Sequence, residues 1–199
     1  MLEAGSDEID ALSQEQYEGE ITKDNYHDLT TSRLRYLGGT SGHWGGWCKP
    51  MDNFDFIKRN YVDHSGWPIK KNDLDKYLDE ACNLLEIENN FNFSKFENKI
   101  FSETKYQFSD VRYGSKMKKF LINSKNVDCY LNANLYNAII NNSKIENLII
   151  KNYNKKEFKV KAKIFIFAMG GIENSRFLNW IIQKNLSLIH ISEPTRLGM

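Results

Sequence analysis

An α/β fold is what this sequence predicts, and three stretches predict it. The first is Lys163-Ile164-Phe165-Ile166-Phe167-Ala168, a continuous apolar run of the kind found in a strand covered on both faces of a parallel sheet. It passes through Met169-Gly170-Gly171 into a helix expected from about Glu173, with Phe177, Leu178, Ile181 and Ile182 on one face. Strand, glycine turn and helix in that order bring backbone to a cofactor at the carboxyl end of a sheet, although a plain strand-to-helix turn would read the same way. The second is a β-meander: strands over 127–135, 148–151 and 157–162, with the turn Asn152-Tyr153-Asn154-Lys155 between the last two. The third is a helix over 72–86 that places Leu74, Tyr77, Leu78, Ala81, Leu84 and Leu85 on one face. Asn72 is its expected N-cap, Asp73 and Asp75 sit where the helix dipole favours carboxylates, and its apolar stripe is expected to be core.

Bulk properties narrow the class. A chain of 199 residues holds one or two domains with a real core. A net charge of +1 argues against a nucleic-acid binder, which would carry a basic excess. Hydrophobic content of 41% with 13% aromatic residues fits a packed protein, and no apolar run is long enough to span a bilayer. Cys48, Cys82 and Cys129 lack metal-ligand spacing, so no metal site is expected and all three read as reduced thiols. Residues 6–31 are acidic without a sustained period and read as a solvated connection with one short helix. Phe91, Phe93, Phe96, Phe101, Tyr106 and Phe108 recur without a clean period, and 114–123 reads as a short amphipathic helix using Met117, Phe120 and Leu121.

The densest signal is Leu37-Gly38-Gly39-Thr40-Ser41-Gly42-His43-Trp44-Gly45-Gly46-Trp47. Glycine loses the most backbone entropy on folding, so such a cluster costs stability unless backbone must approach something closely. Small residues around a His-Trp pair let main-chain N–H groups, an imidazole and an indole meet one flat ligand. A surface turn is the alternative; the two tryptophans weigh against it, because large aromatics are rarely left exposed in a loop.

Gly38 to Gly46 resembles the flavin-facing loop of the glucose–methanol–choline (GMC) oxidoreductases, and most of all the bacterial branch related to pyranose 2-oxidase and the gluconate and fructose dehydrogenases. Cys48-Lys49-Pro50-Met51-Asp52 and Ser65-Gly66-Trp67-Pro68-Ile69 are similar to the same branch, as is Phe108-Ser109-Asp110-Val111-Arg112-Tyr113-Gly114. The likeness runs from Leu2 to about Lys184, with no matching motif over 91–106.

The resemblance implies an FAD/NAD(P)-binding Rossmann-like fold, incomplete, with the β-meander and the start of a substrate domain. It implies an FAD-dependent oxidoreductase that oxidises the CH–OH group of an alcohol or sugar by hydride transfer to flavin. In that family Glu3, ending the second strand, would hold the adenosine ribose. Leu135, with Ala168 and Gly170, would line the adenine and ribose side. Ala168-Met169-Gly170-Gly171-Ile172-Glu173-Asn174 is similar to the second nucleotide-contacting segment, which adds Glu173. Gly38, Gly39, Thr40, Ser41, Gly45 and Gly46 would lie along the pyrophosphate and the isoalloxazine. His43, with Trp44, either bonds covalently to the ring or rests against it; Gly45 stands where the oxidase has Thr. Arg35 either helps fix the loop or makes a surface salt bridge. No catalytic residue is assigned, because the family's His base has no counterpart here and His27 and His64 read as exposed or structural. The electron acceptor stays open, and a cytoplasmic location is expected.

The same likeness divides the chain into a first part of the FAD-binding domain at 1–60, a helix and the start of the substrate region at 61–126, and a second FAD-binding part at 127–185. The first strand and the glycine fingerprint would precede Met1. Residues 186–199 resemble the translation of a sequencing adaptor and are expected to be a non-native tail. Two rival readings are a non-catalytic fragment that binds no cofactor and a nicotinamide-dependent Rossmann dehydrogenase. The second would need a glycine fingerprint and a Tyr-Lys or metal site that the sequence does not show.

Overall fold

The computed structural model describes residues 1–22, 26–91, 103–142 and 144–184. The expectations for Phe93, Phe96, Phe101 and the tail 186–199 lie outside the described residues. The protein is a mixed helix and strand structure with small antiparallel sheets. In chain order it comprises α1 (Ala11–Gln14), α2 (Leu29–Ser32), β1 (Trp47–Cys48), α3 (Lys71–Asp75), α4 (Leu78–Leu85), β2 (Gln107–Phe108) and α5 (Tyr113–Asn123). These are followed by β3 (Asn134–Asn141), β4 (Lys144–Lys151), β5 (Glu157–Val160) and α6 (Gly171–Lys184). It divides into two compact units, one of residues 1–30, 35–37 and those from 124 onward, the other of 31–34 and 38–123.

The first unit is built on the meander β3-β4-β5, antiparallel throughout, with Ala138 opposite Leu148 and Leu148 opposite Val160. Period-two alternation sends Leu148 and Ile150 inward, and Ile150 is completely buried. They meet Ala133, Ala138, Phe177 and Ile181, so α6 closes the core. Phe177 packs its ring 5.1 Å from Phe167 and 6.0 Å from Trp180. The expected turn at 152–155 forms: Asn152 bonds to the backbone of Lys155 and Lys156, and Lys155 takes a left-handed φ of 61°. Residues 1–5 run alongside 130–133, bridged in parallel at Leu2 and Tyr130. Four main-chain bonds of 2.8–3.0 Å hold them there, Tyr130 N–H to Met1, Glu3 N–H to Tyr130, Asn132 N–H to Gly5 and Ala133 N–H to Glu3.

Two expectations need correction in this unit. The run 163–168 forms no helix and has no ladder partner among the described residues. Phe165 and Phe167 pack against the core, whereas Ile164 and Ile166 are 78% and 87% exposed. One face is thus covered, where a strand interior to a parallel sheet needs two. Over 127–133 only Tyr130 is bridged, and the strand proper starts at Asn134, where pairing to β4 becomes available. Helix α6 begins two residues before the expected Glu173.

In the second unit the expected helix over 72–86 is two helices, α3 and α4, broken at Tyr77, whose backbone sits at φ −104° and ψ 2°. Lys70, not Asn72, precedes the first turn, and its N–H is taken by the Asp73 carboxylate at 2.9 Å. α4 ends with Glu86 left-handed and Ile87 N–H bonded back to Cys82 at 3.1 Å, a Schellman closure made without glycine. Its apolar stripe is not core: Leu74, Tyr77, Ala81 and Leu84 are exposed, and the buried residue is Cys82. α5 forms as expected, although Phe120 is exposed. Burial pushes the Cys48, Cys82 and Cys129 thiols up, so each stays protonated, as a structural thiol should. No helix among the described residues is long and apolar enough to cross a membrane.

Truncating Ile150 to Ala should lower stability by about 2–5 kcal/mol in urea denaturation, since it removes the most buried side chain of the core. Truncating Ile166 should change it by no more than about 0.5 kcal/mol. Equal losses at both sites would restore the buried-strand reading of 163–168.

Candidate functional site

Of the residues singled out by sequence, Glu3, Arg35, Leu135, Ala168, Gly170 and Glu173 belong to the first unit, and the loop from Gly38 to Gly46 to the second. In the first unit Glu3 and Arg35 come together. The Glu3 carboxylate accepts the Gly5 N–H through Oε1 at 2.9 Å. Burial raises its pKa from the ordinary glutamate value, against the opposing effects of that bond, the Arg35 guanidinium and the Ala4 backbone. Arg35 in turn gathers four elements. Its Nη1 donates to the Tyr153 hydroxyl at 2.6 Å and to Ser13 Oγ at 3.2 Å, and its Nη2 to Asn134 Oδ1 at 2.7 Å. Its backbone N–H donates to Gln14 Oε1, its carbonyl accepts the Ser13 hydroxyl, and the guanidinium lies 5.7 Å over the Tyr17 ring. These hydrogen-bond partners are neutral groups, not the carboxylate of a surface salt bridge.

Leu135 packs against the core from β3. Ala168 and Gly170 are exposed at the entrance to α6. Asn174 fastens that entrance, its side chain accepting Met169 N–H at 3.3 Å and donating to the Phe167 carbonyl at 3.2 Å. Glu173 lies in the first turn of α6, where its carboxylate takes Arg176 Nε at 2.8 Å and Nη2 at 2.5 Å. A carboxylate at that helix end opposes a phosphate there, because the anion-attracting end of the dipole is already matched.

The glycine loop is a 3₁₀ turn over Gly39–Gly42 set between two left-handed glycines, Gly38 at φ 95° and Gly46 at φ 72°. Both also lie too close to backbone for any side chain. A Cβ on Gly38 would fall 2.2 Å from Gly114 N, and one on Gly46 would fall 2.1 Å from Ser109 O. Ser41 Oγ donates to Gly38 O at 2.6 Å and accepts Tyr113 N–H at 3.3 Å, while Thr40 Oγ1 accepts Leu34 N–H at 3.2 Å. Trp44 is half-buried, and its indole N–H donates to Val111 O at 2.9 Å. His43, between these pinned neighbours, is exposed. Gly45 is also exposed and leaves room for the Trp47 ring, which a Cβ there would approach to 3.0 Å. Trp47 departs from the sequence argument: it is 62% exposed, edge-on to Phe108 and Tyr106 at 4.4 and 5.7 Å.

Sequence reasoning missed Tyr153, Asn134 and Ser13 around Arg35, and Ser109 and Val111 behind the loop. All five act through contacts with residues far away in the chain, so although 108–114 and 152–155 stand out as stretches, nothing local gives these side chains their roles. No family model and no curated protein matches the chain.

Because the folded-state pKa of Glu3 is raised, the native state holds the proton more tightly than the unfolded chain does. Stability should therefore fall as pH rises from the ordinary glutamate range through the raised value, and then level off. Glu3→Gln should abolish that part of the profile when denaturation midpoints are followed against pH; an unaltered profile would show that Glu3 is not desolvated. Gly38→Ala should cost upwards of about 2 kcal/mol from strain and overlap together. Gly171→Ala, where a Cβ meets nothing within 4 Å, should be neutral or stabilise by up to about 1 kcal/mol in the same urea experiment.

Proposed function

We propose that the protein is an FAD-dependent oxidoreductase acting on the CH–OH group of an alcohol or sugar, with a Rossmann-like FAD-binding fold and a cytoplasmic location. The observation that carries the reading is the loop 38–46. Its backbone is pinned at Gly38, Ser41, Trp44 and Gly46, and the one imidazole among them is left exposed. A loop stripped of side chains at five glycine positions lets a flat ring approach main-chain N–H groups, and a held imidazole gives that ring a defined neighbour.

The remaining residues fit the same cofactor. Burial desolvates the Glu3 carboxylate, and a desolvated carboxylate gains from the paired hydroxyl donors of a ribose. A Cβ at Gly170 or Gly171 would meet nothing within 4 Å, so a ligand can approach that backbone closely. The Glu173 carboxylate disfavours phosphate there and suits the uncharged adenine and ribose, which the reading assigns to this unit. When bound, FAD supplies the hydride acceptor that no amino-acid side chain can be. Within its own unit each part acts locally: the first unit offers Glu3 to a nucleotide, and the second presents His43 to a flat ring. The proton lost from the substrate hydroxyl is assigned to no residue of this chain.

The test is to express the protein at its natural length and purify it without added cofactor. A flavin spectrum that bleaches with an alcohol or sugar is the expected result, with His43→Ala altering the spectrum or slowing the bleaching. Acid precipitation should release the flavin if His43 only rests against it and retain it in the pellet if the link is covalent. A colourless protein that instead reduces a nicotinamide cofactor would overturn the reading, as would a His43→Ala protein with an unchanged spectrum and rate.

A further inference from the structure

The residues that grip the glycine loop form a regular series. Ser109, Val111 and Tyr113, alternate residues of one segment, bond to Gly46, Trp44 and Ser41, taken in reverse order along the loop. Ser109 stands out among them because it is 3% exposed and bonds through both its N–H and its hydroxyl. Its N–H donates to Gly46 O at 2.8 Å, its carbonyl occupies the space that a Gly46 side chain would need, and its Oγ accepts Val111 N–H at 3.2 Å. The same Oγ donates to Leu85 O at 2.6 Å, at the end of α4.

That helix end is itself anchored. Lys116 of α5 donates from Nζ to the Leu84 carbonyl at 2.6 Å and pairs with Glu86 at 2.7 Å, which places a cation where the helix dipole is negative. The Cys48 thiol donates to the Gly46 carbonyl at 3.2 Å from the strand that follows the loop. A chain of bonds therefore leads from α5 and α4 through one hydroxyl to the backbone on the C-terminal side of His43. Val111, whose N–H that hydroxyl accepts, carries the carbonyl that holds Trp44. We propose that Ser109 is the positioning residue of the glycine loop: it transmits the fixed C-terminus of α4 to Gly46 and Trp44, so that His43 is presented in one orientation.

The grip on the loop stands by itself, while its consequence for a flavin rests on the function proposed above. Amide exchange on the full chain separates the two. Ser109→Ala should speed exchange over 38–47 by on the order of tenfold, since it leaves Leu85 O and Val111 N–H without their partner. Trp44→Phe, which keeps an aromatic side chain but loses the indole N–H together with the five-membered ring that carries it, should act in the same direction. Residues 144–160 should be unchanged in both variants. In the natural-length protein with flavin, both variants should shift the flavin spectrum as His43→Ala does. Unchanged exchange over 38–47 in both variants overturns the proposal, and so does acceleration spread evenly over 38–123. If Ser109→Ala unfolds the whole unit, the Trp44→Phe result decides by the same criterion. Local acceleration in a protein that carries no flavin would leave the positioning role standing and remove the flavin reading alone.

Discussion

The first unit depends on the placement of one guanidinium. Arg35 bonds at once to α1, to β3 and to the β4–β5 turn, and it lies near enough to Glu3 to oppose the effect of burial on that carboxyl. Arginine suits this role because its planar fork offers several donors in fixed directions and remains charged at any relevant pH. A lysine could supply the charge but not the geometry. Tyr153, which takes one of those donors, passes its own hydroxyl on to the Ala4 carbonyl at 3.3 Å. Asn134, which takes another, is tied through its amide to the Lys151 carbonyl at 3.1 Å. The network is half-buried and built from charge-assisted bonds, so each lost partner leaves a polar group that water cannot easily reach.

The second unit is organised differently. Its described residues include the helices α3, α4 and α5 and a two-residue ladder between β1 and β2, and most of their large apolar side chains are exposed. Tyr61, Trp67, Tyr77, Phe108 and Phe120 all lie open, so dispersion and burial contribute less here than in the meander core. Main-chain hydrogen bonds and close glycine packing define the loop instead. That division of labour fits a region whose business is to present backbone, since a glycine surface has no side chains with which to build a core.

How much of this was legible in the sequence depends on the range of the contacts involved. β4 and β5, the 152–155 turn, α5 and α6 could be read because their signals are local: alternation, turn residues and a helical stripe within a few residues of one another; the first strand, expected over 127–135, lies at Asn134–Asn141. The run 163–168 misled because an apolar stretch carries no record of how many neighbours it will find; Ile164 and Ile166 face outward with nothing packed on them. The stripe on α4 misled for the same reason. At the site, the glycine cluster was visible, and its rigidity was not, because Ser109 and Val111 lie more than sixty positions away and have no unusual neighbours. Arg35 attracted notice only by proximity to the loop. Its actual partners, Ser13, Asn134 and Tyr153, span most of the chain.

The way the backbone is divided between the units bears on how the protein is made. The core of the first unit needs Leu2 and Phe177 together, and the whole of 38–123 intervenes between its early and late parts. The second unit is nearly contiguous, so on a ribosome it can complete its hydrogen bonds while α6 is still unsynthesised. The N-terminal residues must then wait, extended, until 130–133 emerge to pair with them and α6 arrives to cover the meander. Closing so long an interval adds little to the equilibrium cost, because loop entropy grows only by about 0.6 kcal/mol per doubling. It does slow the search, and it leaves Leu2 and its neighbours, made first, without their partners for the longest part of synthesis. The segment left unpaired longest is therefore residues 1–5, while the meander, the best-packed part of the finished molecule, emerges with that partner already made.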